Sequence, residues 1–441
     1  MHLLQLSGLM ILFLKSLDGY RSRKLFAFHS TKLVERLYII HPIALAFSAL
    51  LCLMSLITGA FEYYDQSLLL LITCSCIAGF IKRFYYYFPN NLESELEGLS
   101  MLCILALAFE NLAVAELFST AFFVISISAG LAKIKSTSWK PNGIALISFL
   151  TVPWQLRNRL RHYISVNISK LYSKTSLFRF FIVSLQVITP WAQLLSGIFI
   201  VTSLFSSQSS NILAISLLFQ ALFALTLFIS ADLGWIPHFQ LWLTILFFYC
   251  YEINNVLPAE SNFSTEGAGV GLFYLTGYCI FTVYSEFINI RQKLPVFAKK
   301  ILSTIAIPLE PFSMFTEIES KLLITNRIIP AEDKTPGDFY FLKQTTKLSR
   351  YLMYHLYDSN DFVIFNHRLT APPPSNKQPD YVSQFYSIIN SLSSGQIVMY
   401  IYTWDKKNYS FASKLHLTLT ISQQSWGIQR ISLRRNHDNS Q

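Results

Sequence analysis

Apolar residues fall in blocks of about 15 to 25 from the N-terminus to about Phe287, and such blocks are long enough to cross a ~30 Å hydrocarbon core as helices. No other feature constrains the fold as strongly. In lipid the backbone must satisfy its own hydrogen bonds, which makes helices the default. A membrane barrel would instead read as short alternating strands, and none occurs upstream of the tail. The windows 38–60, 67–82, 99–114, 115–133, 178–204, 211–230, 236–252 and 267–289 are the expected spans. With the N-terminal apolar stretch they predict roughly seven to nine membrane helices. Gly143–Trp154 is too short to span and reads as a re-entrant or interfacial piece.

Charge is scarce and ordered. Only 14% of residues are charged, against about 25% in soluble domains. The net charge of +10 would suggest nucleic acid in a soluble chain. Here the basic residues flank apolar blocks, which points to membrane topology and anionic lipid. No nucleic-acid motif is present, and membrane lipids are the expected partners. The connections 15–36, 82–83, 133–179 and 291–300 are basic, whereas 61–66, 110–116, 205–210 and 252–266 carry no Lys or Arg. The two kinds alternate, with 231–235 silent, so the basic loops are placed in the cytoplasm. Between Leu117 and Ala231 there is no Asp or Glu, while Lys133, Arg157 and Lys174 fall there with other cations. Gln155–Lys174, with Leu156, Leu160, Tyr163 and Leu171, reads as an amphipathic helix on anionic headgroups.

Both ends differ from the middle. Met1–Phe13 is apolar and precedes Lys15, Arg21, Arg23 and Lys24, the reverse of a signal peptide, so a retained inserted or interfacial helix is expected. After Lys300 the long blocks stop. Phe339–Tyr357 has helical character, and Asp361–Leu369, Gln396–Trp404 and Lys414–Ser422 read as strands. The fold class is an all-α polytopic transmembrane helical bundle with a small C-terminal α+β soluble domain. Its parts are an N-terminal apolar/basic segment over 1–37, a transmembrane domain over 38–315 and a tail over 316–441.

Few residues carry chemistry. The six cysteines lie in or beside apolar blocks, show no metal-ligand spacing and read as packing residues. No metal or cofactor is implied by the residues. Glu110, beside Asn111, sits either in a tight external turn or as a buried acid facing the bundle. Asp232 and His238 flank Gly234-Trp235-Ile236-Pro237 in another tight turn. His41, before Pro42, reads as an interfacial histidine at a helix start. Lys133 ends the run Ser126-Ile-Ser-Ala-Gly130-Leu-Ala-Lys133, with Trp139 six residues on. It either snorkels to headgroups or faces a cavity, where a neutral amine is a competent general base.

The stretch Phe122–Trp139 resembles the signature of the HTTM superfamily, which includes the vitamin K-dependent gamma-carboxylases and, more distantly, lipase maturation factors. Leu217–Phe228 followed by Trp235–Phe248 resembles the family's paired helices, and Pro311–Phe315 its closing aromatic motif. The resemblance covers roughly residues 100–315, with Gly130, Lys133 and Trp139 as its most specific part. It implies a gamma-carboxylase-like HTTM domain in which Lys133 is the catalytic base; in an enzyme reading Glu110 or Asp232 would stand in support. The chain departs from the carboxylases in a longer Lys133–Trp139 gap, in Gln220 where a histidine is common, and in lacking a recognisable glutamate-substrate domain. Three classes therefore stay open: a membrane enzyme acting on a lipid-soluble or peptide substrate, a maturation or assembly factor whose tail holds a client protein, and a transporter. Labelling of single cysteines placed at Ser261 and Ser169 in intact cells should reach only Ser261 from outside. External labelling at Ser169 would invert the topology.

Overall fold

The computed structural model describes residues 1–26, 32–59, 61–85, 92–143, 145–151, 167–168, 170–205, 210–230, 235–256, 265–285, 294–308, 323–330, 395–405, 410–423 and 429–435. The chain divides into two compact units. The first comprises Met1–Arg21, Ser30–Gly143 and Leu185–Glu317; the second comprises Ser22–His29, Ile144–Ser184 and Ile318–Gln441.

The helices are α1 (His2–Phe26), α2 (Lys32–Thr58), α3 (Phe61–Tyr85), α4 (Leu92–Ala108), α5 (Leu112–Lys135), α6 (Ala145–Thr151), α7 (Ser176–Ser203), α8 (Ser210–Ser230), α9 (Ile236–Val256), α10 (Thr265–Ser285) and α11 (Val296–Thr304). Five described stretches are long and apolar enough to cross a membrane: Arg36–Thr58, Asp65–Phe84, Leu112–Lys135, Ser176–Ser203 and Asn211–Phe228. The protein is a polytopic membrane protein on that ground. The windows expected at 99–114, 236–252 and 267–289 also fall on helices, α4, α9 and α10. However, α4 has only 17 residues, and the purely apolar stretch of α10 is Gly269–Thr282.

Helix α5 is the most enclosed of the five and forms the centre of the first unit. Helices α4, α9 and α10 pack against it. Phe123 meets Phe247 of α9 edge-on at 5.2 Å, and Phe118 meets Tyr274 of α10 at 5.0 Å. The outward faces of α2, α7 and α8 keep large apolar side chains such as Phe47, Phe180 and Ile215 exposed, as a lipid-facing surface requires.

Two expectations change and one is narrowed. Of the inserted and interfacial readings of the N-terminal stretch, the packing of α1 fits the inserted one. Leu9 and Leu12 of α1 are fully buried, Trp242 Nε1 donates to the Leu4 carbonyl at 3.1 Å, and a Cβ on Gly8 would stand 2.5 Å from the Trp242 ring. Glycine lets α1 lie against that indole. His41 is not at a helix start: it lies inside α2 and is fully buried, with Nδ1 3.0 Å from the Ser75 carbonyl. Lipid-embedded helices accommodate an internal proline such as Pro42 because neighbours satisfy the freed backbone group. Finally, Lys82 and Arg83 are not a loop. They form the buried last turn of α3.

The buried pair explains itself through its partners. Glu97 of α4 forms ion pairs with Lys82 at 3.2 Å and with Lys15 of α1. Arg83 Nε donates to the Thr304 carbonyl at 3.1 Å and Nη2 to that of Ser303 at 2.6 Å, closing the C-terminus of α11. Its Nη1 donates to the carbonyl and hydroxyl of Ser94. One carboxylate and one guanidinium thus tie α1, α3, α4 and α11 together.

In the second unit, β1 (Leu323–Pro330), β2 (Gly395–Asp405), β3 (Ser410–Gln423) and β4 (Gln429–Arg435) form an antiparallel sheet in the order β1-β2-β3-β4. The strands expected at 396–404 and 414–422 lie within β2 and β3. The register slips at Met399/Tyr400. The helix expected at 339–357 and the strand expected at 361–369 lie outside the described residues, as do most of 155–169 and Pro311–Phe315. The 143–154 piece contains the short helix α6.

Breaking a buried pair by removing one partner costs about 3–5 kcal/mol, because the other charge is stranded. Glu97→Gln should therefore lower the thermal unfolding midpoint of the purified protein in detergent well below wild type. An unchanged midpoint would mean that the cluster does not hold the helices.

Candidate functional site

Gly130 sets the geometry of the site. A Cβ there would stand 2.8 Å from the Leu194 backbone nitrogen and 2.9 Å from the Pro190 carbonyl oxygen of α7. Gly197 makes the reciprocal approach: its Cβ would stand 2.8 Å from the Phe123 carbonyl oxygen of α5. The obstructing atoms are backbone, which cannot swing aside. Small residues of this kind let membrane helices approach closely. The contacts run Phe123 to Gly197 and Gly130 to Pro190, so α5 and α7 are antiparallel.

Lys133 follows Gly130 by three residues and so lies on nearly the same face of α5. Side chains on a helix tilt toward its N-terminus, which carries the long lysine stem back toward the close contact. Its Nζ donates to Gln193 Oε1 of α7 at 2.6 Å. Trp139, from the short 3-10 turn Thr137–Trp139, lies with its ring centroid 5.5 Å from Nζ, and Phe223 of α8 lies at 5.6 Å. Lys133 is 5% exposed and Trp139 4%. Among the described residues no carboxylate lies within ion-pair distance of Nζ.

A polar seam continues from this point. Ser196 Oγ donates to the Gln193 carbonyl at 3.2 Å and accepts from Gln220 Nε2 at 2.7 Å. Gln220 Oε1 accepts from Ser126 Oγ of α5 at 3.3 Å. Seven residues earlier on α7, Gln186 donates to the Lys140 carbonyl at 2.7 Å. Gln220 is the middle residue of α8, and Gln193 lies past the middle of α7. The seam therefore crosses three helices well inside their lengths, where a polar group is costly unless partnered.

The structure brings Gly130, Lys133 and Trp139 together and adds Gln220 to the same seam. It does not bring Glu110 to them. Glu110 lies in the α4–α5 turn, exposed, with φ of 53°, next to Asn111, whose side chain accepts from the Val114 backbone N–H and caps α5. The length of α5 separates it from Lys133 by roughly 30 Å. The buried-acid reading of Glu110 is therefore corrected to the turn reading, which follows from the capping asparagine. Asp232 lies outside the described residues. Four cysteines, Cys52, Cys76, Cys103 and Cys250, are buried, while Cys74 faces outward from α3.

Sequence reasoning missed Gln193, Ser196 and Ser126, although the signal was present. Gln186 and Gln193 are seven apart in an otherwise apolar span, a two-turn repeat that places them on one face. It also missed Glu97 as the centre of a buried ion cluster. No protein-family model, curated protein or solved structure matches the chain.

The site can do two things chemically. Two aromatic faces and an amide oxygen favour an ammonium, and the apolar enclosure makes a lone charge expensive. A lysine so placed can accept and release a proton without a permanent counter-ion. The approach at Gly130 is what creates it. Gly130→Val should therefore cost about 1–3 kcal/mol through overpacking against backbone. Thermal unfolding in detergent would show it as a lowered midpoint, and a midpoint matching wild type would show that the helices can part freely.

Proposed function

We propose that the chain is an HTTM-like membrane enzyme in which Lys133 acts as general base on a lipid-soluble or peptide substrate reached between the helices. The observation that carries this reading is the position of the amine. It is bonded to Gln193 inside the bundle beneath Trp139 and Phe223, and does not snorkel outward. The gamma-carboxylase resemblance of Gly130, Lys133 and Trp139 supports the same role, whereas Glu110 is too distant to assist. The basic connections other than 82–83 support a multi-pass placement in the cell inner membrane with a cytoplasmic tail, and the strand pairing from β1 to β4 supports an α+β domain there that contacts the peptide or client protein.

A snorkelling lysine tolerates arginine, because both side chains supply a positive charge. A base does not, because arginine stays protonated near neutral pH. Lys133→Arg should abolish complementation of a strain deleted for the gene while leaving membrane abundance normal. Full complementation would remove the catalytic reading and favour a maturation factor or transporter.

A further inference from the structure

We propose that Gln193 is the positioning residue for Lys133, holding its amine by the side-chain oxygen and offering its amide N–H to the oxygen of the substrate. The inference rests on the base reading of Lys133 and assigns the neighbouring group that makes the base usable. Three observations carry it. The first is the 2.6 Å contact from Nζ to Oε1. The second is that Gln193 sits where α5 and α7 touch, three residues after Pro190 and beside Leu194, so its backbone has little freedom to move. The third is that, among the described residues, nothing accepts a hydrogen bond from Gln193 Nε2, although the residue is only 4% exposed. An amide donor left without an acceptor beside an amine base is an open position for one.

The step balances without a further reagent. Lys133 Nζ takes a proton from an acidic O–H, or from a C–H beside a carbonyl. The bonding pair stays on the substrate as an oxyanion or enolate oxygen, and the amine becomes an ammonium. Gln193 Oε1 already accepts one N–H of that ammonium, and the Trp139 and Phe223 faces receive its remaining charge. The new negative charge lies within reach of the Gln193 amide N–H, a donor fixed in place before the reaction. The Gln220–Ser196 pair, one turn away on the seam, holds α8 against α7 and keeps Phe223 over the amine.

Full-length protein in nanodiscs is treated with acetic anhydride across pH 6–10, and acetylation at Lys133 is followed by peptide mass spectrometry. In Gln193→Glu a carboxylate replaces the amide oxygen and retains the ammonium, so the pH of half-maximal acetylation should rise by about one unit or more. An unchanged value would overturn the contact. In cells, Gln193→Leu and Gln193→Glu should both reduce complementation at least tenfold at normal membrane abundance, with Gln193→Asn recovering part of it. Should Gln193→Leu complement as wild type while Lys133→Arg does not, the positioning role falls and the base remains. Should Lys133→Arg also complement, the base itself falls. If Gln193→Leu does not accumulate in the membrane, the acetylation of Gln193→Glu still decides the matter.

Discussion

The site depends on one close approach, that of α5 to α7 at Gly130 and Gly197. Between two membrane helices there is no hydrophobic force to be gained over lipid, so association rests on packing and interhelical hydrogen bonds. The two glycines allow backbone-to-backbone contact. That contact brings Lys133 and Gln193 together and sets α8 close enough for Gln220 to join Ser126 and Ser196. Larger residues at either glycine would separate the helices and dissolve the seam.

The bundle buries lysine in two different ways. Lys82 and Lys15 share the Glu97 carboxylate, so each ammonium has a counter-ion in contact. Such a cluster fixes helices, and together with Arg83 it joins α1, α3, α4 and α11. Lys133 has no carboxylate in range among the described residues and relies on a neutral amide and two rings. A compensated charge locks structure, since removing either partner strands the other. An amine with only neutral partners can change its protonation at modest cost, which is what proton-transfer chemistry requires. The first arrangement suits architecture and the second suits a reaction.

Several groups on the chain look alike in sequence and part company in space. Glu97 and Glu110 are both acids at the edges of apolar runs, yet Glu97 is buried between two lysines and Glu110 is exposed in a turn. Lys82 and Lys135 both end spans, yet Lys82 is buried beside a carboxylate and Lys135 is exposed. Hydropathy is blind to this difference because it averages along one helix. The direction a side chain faces is set by the helix beside it.

The sequence by itself determined that the chain crosses a membrane, and where most of its helices run. Length and apolarity suffice for that, because lipid forces the backbone to close its own hydrogen bonds within each helix. It also marked Gly130, Lys133 and Trp139 as a unit, through their resemblance to a family signature, and it located β2 and β3 by their β-branched and aromatic content. Only the tertiary structure decided that α1 enters the bundle, that His41 is interior, and that Lys133 meets Gln193 sixty residues away. Those outcomes depend on which helices become neighbours. Pairing among apolar helices is chosen by a few small and polar side chains acting over long sequence separations, and no property of a single helix encodes it.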